Sequence, residues 1–294
     1  MHQKFQRHLS LLCLVGMMSA AHADSTISAT SKHAYSANAG WINWRPDQPS
    51  TPNGINFGES FLSGQAYGAN VGWIDFGDGT PSNGFSYQNN SATDYGVNHD
   101  GTGNLSGMAY GANVGWINFG WAPANSPDRP RVNLLTGVFS GFAYSVNLGW
   151  INLGSGSLIT TAMRLVDTDG DGIDDAWERS HFPDLITATT TSDADKDGVS
   201  DRDEYRAGTS PISSTDYFKV ASTSFSGGNT QATITFTSDP SRLYRIETSD
   251  NLVSWQNSSH GTFAADPGTT TTRTVTLTSG DKRFIRAVAV KPLP

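Results

Sequence analysis

The sequence predicts a mainly β chain in three parts: a repeat domain of short-stranded β-meanders, an acidic linker segment with short helices, and a small C-terminal β-sandwich. Three observations predict it. A motif, Ala-Tyr-x-x-Asn-x-Gly-Trp-Ile, recurs four times within residues 24–158. Carboxylates crowd into residues 167–204. Short β-branched and aromatic runs, separated by Gly, Pro, Asp and Ser, fill residues 217–294.

Residues 1–23 stand apart from any fold. Lys4 and Arg7 precede the apolar run Leu9–Met18, and Ala21-His22-Ala23 ends it. A basic start, a short apolar stretch and an A-x-A end read as a secretory signal cleaved after Ala23. The apolar run is well short of the ~20 residues of a spanning helix. The expected location is therefore secreted, extracellular or cell-surface, with the periplasm also compatible, and no membrane span is expected in the mature chain. The only cysteine, Cys13, leaves with the signal, so disulfides are not expected to brace the fold.

In the repeat domain, Ala34-Tyr35, Ala66-Tyr67, Ala109-Tyr110 and Ala143-Tyr144 are each followed by Asn38, Asn70, Asn113 and Asn147, and then by Gly-Trp-Ile ending at Ile42, Ile74, Ile117 and Ile151. Three copies also open with Ile55-Asn56, Val97-Asn98 or Val132-Asn133. A recurring unit of this length signals an array of supersecondary elements. Each copy reads as a three-stranded meander, with the Asn at the last connection, where a short amide tolerates left-handed backbone. The first copy lacks an opening strand. Whether the copies form a closed ring, a prism or an open stack is left open by the residues.

Strand alternation splits Gly-Trp-Ile-Asn-Phe into two faces, placing Trp beside Asn or Asp on the side opposite Ile and Phe. Recurrence in every copy favours Trp41, Trp73, Trp116 and Trp150 packing between repeats, braced by the tyrosines. The alternative is a ligand face, because an aromatic ring beside an amide or acid suits sugar. Polysaccharide or cell-surface components are the macromolecular partners that this alternative implies.

The formal charge of the chain is −8, yet residues 167–204 alone hold 13 acids against Arg179, Lys196 and Arg202. Without the leader the rest is neutral. No basic patch invites phosphates, so nucleic acid is not an expected partner. Within the segment, residues 159–216, two twelve-residue stretches follow one template, starting at Asp167 and Asp193. Positions 1, 3 and 5 are Asp167, Asp169 and Asp171, then Asp193, Asp195 and Asp197. Position 6 is Gly172 or Gly198, where the chain turns sharply. Position 7, Ile173 or Val199, offers a carbonyl, position 9 is Asp175 or Asp201, and position 12 is Glu178 or Glu204. Oxygen donors at this spacing suit Ca²⁺, and Mg²⁺, which keeps its waters, suits such a cage poorly. The expected cofactor is two Ca²⁺ ions. A short helix is expected after each loop, over Asp174–Phe182 and Asp201–Ala207, ended by Pro183 and by Gly208.

Calcium sensors of the helix-loop-helix kind place their apolar loop residue at position 8, whereas Ile173 and Val199 stand at position 7. Asp-x-Asp-Gly-Asp-Gly-Ile-x-Asp, with the exit Glu204-Tyr-Arg-Ala-Gly-Thr-Ser-Pro211, instead resembles the thrombospondin type 3 repeat in its bacterial form, over about residues 165–212. The resemblance implies calcium binding at the positions named and a structural, spacer-like role. Lacking interloop cysteines, and with Glu at position 12, the segment departs from the animal pattern, so disulfide-braced stacking is not implied.

In residues 217–294, Tyr217–Val220, Gln231–Thr237, Arg242–Thr248, Leu252–Trp255, Thr272–Leu277 and Arg283–Val290 read as strands of a small sandwich. No reaction is marked. His33, His99, His181 and His260 show no metal-ligand spacing, and no Gly-x-Ser-x-Gly turn occurs. Only Glu59 and Glu247 remain outside the loops for glutamate acid–base work. The expectation is a secreted or surface calcium-binding structural or adhesion protein, not an enzyme. A carbohydrate-binding protein is the second reading and a polysaccharide-acting hydrolase the third.

Overall fold

The computed structural model describes residues 25–46, 54–277 and 284–293. The expected leader, residues 1–23, lies outside the described residues. Mainly β character is present, in several sheets with two short helices among the described residues.

The repeat domain closes into a barrel. Its strands are β1 (Ile27–Ser36) and β2 (Gly40–Asn43); β3 (Asn56–Phe57), β4 (Leu62–Ser63), β5 (Gln65–Gly68) and β6 (Gly72–Asp75); β7 (Val97–His99), β8 (Leu105–Gly111) and β9 (Gly115–Asn118); and β10 (Arg131–Val132), β11 (Phe139–Ser140), β12 (Phe142–Ser145), β13 (Gly149–Asn152) and β14 (Leu158–Thr160). Eight of them form an antiparallel ring in the order β1-β2-β5-β6-β8-β9-β12-β13. The ring shuts where Tyr35 pairs with Asn152 and Ser36 with Ile151. Each stave pair is the Ala-Tyr…Gly-Trp-Ile hairpin of one copy, so four hairpins make the wall.

Closure explains the incomplete first copy. Opening strands β3, β7 and β10 pair with the strand that follows them in their own copies. Copy one has none of its own, and β14, which follows copy four, pairs with β1 through Ile27–Thr160 and Lys32–Leu158. The backbone N–H of His33 also donates to Ser157 O at 2.7 Å. The two ends of the repeat domain are thus joined by a strand pairing.

Inside the barrel, small and large residues face each other across each hairpin: Ala34–Ile42, Ala66–Ile74, Ala109–Ile117 and Ala143–Ile151. All eight are buried. Trp44, Phe76, Phe119 and Leu153 form the next layer of one continuous core, with Trp44 edge-on to Phe76 at 4.7 Å. Alternating small and large side chains suits the narrow interior of an eight-stranded barrel. At Gly68 a Cβ would lie 2.5 Å from the Val71 side chain, which would have to shift to admit one.

The hairpin turns differ from expectation. The left-handed position is held by Gly40, Gly72, Gly115 and Gly149, with φ between +70° and +79°; a turn followed by such a glycine is a common three-residue hairpin connection. The repeated Asn does other work. Its Nδ2 reaches back to a carbonyl in the preceding copy's turn: Asn70 to Ala39 O (3.1 Å), Asn113 to Val71 O (3.2 Å) and Asn147 to Val114 O (3.0 Å). Asn38 completes the circle to Leu148 O at 3.0 Å. The amide is a cross-link between copies.

The third region is a two-sheet sandwich. One sheet orders β15 (Val220–Ser226), β16 (Gln231–Thr237) and β20 (Thr270–Thr276); the other joins β17 (Leu243–Ser249) to β18 (Gln256–Asn257), β19 (Phe263–Ala264) and β21 (Phe284–Val290). Ala232, Ile234 and Phe236 meet Tyr244 and Ile246 in its core. Two expected strands are corrected. The first runs over Val220–Ser226 rather than 217–220. Leu252–Trp255 is a turn, because Asn251 Oδ1 accepts from the N–H groups of Val253 and Ser254 and Leu252 has φ +61°.

Candidate metal centre and its junction

Both acidic loops fold as tight carboxylate-braced turns. Asp167 accepts the N–H groups of Gly170 (2.7 Å) and Gly172 (2.9 Å), and Asp171 accepts that of Ile173. In the second loop Asp193 accepts from Lys196 and Gly198, and Asp197 from Val199. The helices follow as anticipated: α1 spans Asp175–His181 with Asp174 as its cap, and α2 spans Asp201–Ala207 between Ser200 and the left-handed Gly208. Ile173, Phe182, Ala188 and Tyr205 make a small core beneath the loops, with Trp177 packed against it.

These turns gather like charge. One oxygen from each of Asp167, Asp169 and Asp171 lies within 4.8 Å of the others, and the same holds for Asp193, Asp195 and Asp197. Glu178 and Glu204 are fully buried. Both oxygens of Glu178 and Oε2 of Glu204 are buried without a hydrogen-bond partner, as are Asp171 Oδ2, Asp195 Oδ2, Asp197 Oδ2 and Asp201 Oδ2. Burial, reinforced by Asp169 and Asp171, pushes Glu178 up to about 8. Burial and the charges of Asp195 and Asp197 do the same for Glu204. A buried carboxylate oxygen without a donor carries a large desolvation cost. A divalent cation among hard oxygens would remove that cost, and the donor set of both loops fits such an ion.

Position 9 differs between the loops. Asp175 accepts the N–H and hydroxyl of Thr168 through separate oxygens, at 2.8 and 2.6 Å. It braces the first loop instead of presenting a free oxygen. Asp201 accepts from Ala194 N–H with Oδ1 and keeps Oδ2 unpartnered. The difference follows from residue 2 of each loop, Thr168 with a hydroxyl against Ala194 without one.

Spacing gave no hint of what the second helix touches. The Tyr205 hydroxyl donates to Glu59 Oε1 of the barrel at 2.6 Å. Lys291, just past the last strand of the sandwich, pairs with that same oxygen and with the Tyr205 hydroxyl. Arg242 of the sandwich donates to the carbonyls of Tyr205 and Arg206. One residue of the acidic segment is therefore held by both β regions. Leu293 continues from Lys291 into the barrel core, its carbonyl accepting from Met163 N–H. The signal available beforehand was a Glu with no metal role, which marks neither partner. The other such glutamate, Glu247, pairs with Arg245 and Arg286. His99 is buried, and that burial holds its imidazole below the ordinary histidine range, with Nδ1 at 2.8 Å from Glu59 O and Nε2 accepting from Gly103 N–H.

The four tryptophans do not pack against one another between repeats; only Trp150 meets a ring from the preceding copy, Trp121, at 4.6 Å. Trp41, Trp73, Trp116 and Trp150 are 53, 36, 43 and 49 % exposed. Hairpins meet their neighbours around the wall through backbone hydrogen bonds, interior side chains and the Asn amides, which leaves the indoles on the outer face, where Tyr95 packs on Trp116 and Trp121 on Trp150. Each indole packs edge-on or tilted against its cross-strand tyrosine, at 5.1, 5.0, 4.9 and 4.8 Å between ring centres. Beyond each Trp, Asn43, Asp75, Asn118 and Asn152 use Oδ1 to accept a backbone N–H two residues on. Among the described residues no helix is long and apolar enough to cross a membrane. No family model, curated protein or solved structure matches this chain, so the likeness of residues 165–212 to thrombospondin type 3 repeats rests on the loop residues themselves.

Proposed function

We propose that this is a calcium-binding structural protein of extracellular or surface type, in which two Ca²⁺ ions fix the junction between a closed repeat barrel and a sandwich. The observation that carries the reading is the set of buried carboxylate oxygens left without donors in both loops, three in the first and four in the second. A solvated acidic tether would turn those oxygens to water. Calcium in the second loop orders Glu204, and the next residue, Tyr205, bonds to Glu59 of the barrel while its carbonyl accepts from Arg242 of the sandwich. Ion binding and the mutual orientation of the β regions are therefore coupled through adjacent residues.

Calorimetric titration of the mature chain at pH 7.5 is expected to show two Ca²⁺ bound, and chelation is expected to raise protease cleavage within residues 160–215. No uptake at millimolar Ca²⁺ would end the reading. Uptake with unchanged cleavage would keep the ion sites and remove the junction role.

A further inference from the structure

The barrel's outer wall carries a pattern that the calcium reading does not use. Asn43 lies directly across from Tyr67, Asp75 from Tyr110, Asn118 from Tyr144 and Asn152 from Tyr35. Each Tyr is in turn paired across its own hairpin with Trp. Around the closed ring the exterior therefore alternates between an aromatic pair and a polar side chain, a carboxamide at three places and an acid at Asp75, with Tyr95 and Trp121 adding a third ring against Trp116 and Trp150. A hairpin occupies two strand spacings, so the unit repeats at roughly 10 Å around the wall.

We propose that this belt is a four-site binding surface for a neutral polysaccharide. Half-exposed rings offer faces and edges to sugar C–H groups. The Asn side chains, with Oδ1 engaged by the backbone, keep Nδ2 as an N–H donor for hydroxyl oxygens. Three of the four polar positions are uncharged, which suits a neutral polyhydroxyl chain over an anionic one. A lipid surface would leave those amides unsatisfied, and six of the eight staves are four residues long, against the ~9–11 of a bilayer-crossing strand. Four weak sites at a fixed step act together on a long chain through effective concentration. The proposal does not depend on calcium.

The test is affinity electrophoresis and intrinsic fluorescence of the mature chain with β-1,4-glucan, β-1,3-glucan, xylan and mannan, and with polygalacturonate as the anionic arm, each with Ca²⁺ and with EDTA. Retardation by at least one neutral polymer is expected, unchanged by EDTA. It should weaken about 2- to 3-fold for each Trp→Ala substitution and at least about 10-fold when Trp41, Trp73, Trp116 and Trp150 are all replaced. Because losing four indoles could unsettle the barrel, a second variant carries Asn43→Asp, Asn118→Asp and Asn152→Asp. It keeps every Oδ1 bond and every ring, removes the donors and should also lose retardation with an unchanged circular dichroism spectrum. The proposal is overturned by no retardation with any neutral polymer, by retardation with polygalacturonate alone, by indifference to both sets of substitutions, or by concentration-dependent self-association that buries the indoles.

Discussion

Replacing Glu204 by Gln tests the calcium reading through a change of sign. Glu204 is fully buried; Oε1 accepts from the Thr209 hydroxyl and Oε2 has no partner. Without calcium, at pH 8.5, its charge is buried and unmatched, a condition that costs on the order of 1–3 kcal/mol. E204Q keeps the shape and the Thr209 contact while removing the charge, so in EDTA the variant should melt at or above the wild type. With calcium the order should reverse. For an extracellular-class site with a dissociation constant of ~0.1–1 mM, ~1 mM free Ca²⁺ stabilises the folded state by about 0.4–1.4 kcal/mol. Two sites then raise the melting temperature by roughly 2–11 °C, at ~2–4 °C per kcal/mol, and E204Q should retain only about half of that rise. Differential scanning fluorimetry with EDTA, Ca²⁺ and Mg²⁺ reads all three quantities. An equal rise with Mg²⁺, or a variant less stable than wild type in EDTA and equally responsive to Ca²⁺, would refute the reasoning.

Burial and neighbouring carboxylates raise Glu178 and Glu204 to about 8, so at pH 7 the calcium-free loops hold protons that the ion displaces. Calorimetric enthalpies should depend on the buffer's ionisation enthalpy, and affinity should climb from pH 6 to about 8 and then level. The same shift, upward from an ordinary 4.5, means that stability in EDTA should fall as pH rises through that interval, with calcium opposing the fall. Asn113→Ala removes the bond to Val71 O and should cost about 1 kcal/mol in urea unfolding. Combined with Asn38→Ala on the opposite hairpin, it should add to within ~0.5 kcal/mol. Leu158→Ala, in the strand that closes copy one and fully buried, should cost about 2–5 kcal/mol. Leu165→Ala, about half exposed, should stay within ~0.5 kcal/mol.

Much of the fold was legible because its signals are local. Helix α2 stops at Gly208 as its sequence signals, and strand alternation separates Ile and Phe from Trp on opposite faces. Loop geometry follows from Asp at alternate positions around an obligatory turn at Gly172 and Gly198. The strand assigned to Leu252–Trp255 failed because Asn251 closes a turn there, a side-chain bond that a run of apolar residues conceals. At position 9 of the first loop the Thr168 hydroxyl shares the oxygens of Asp175, a bond that the spacing of carboxylates alone does not reveal.

The four hairpins, the two acidic loops with their oxygen donors and the strand-rich C-terminal part are all readable in the residues, because each depends on neighbours close together in the chain. Tertiary structure decided the rest. That the repeats form a ring required β13 to reach β1, and that the indoles face outward followed from where neighbouring hairpins met. That Tyr205 is held by Glu59, Lys291 and Arg242 depended on residues up to 232 positions apart, whose approach no local spacing encodes.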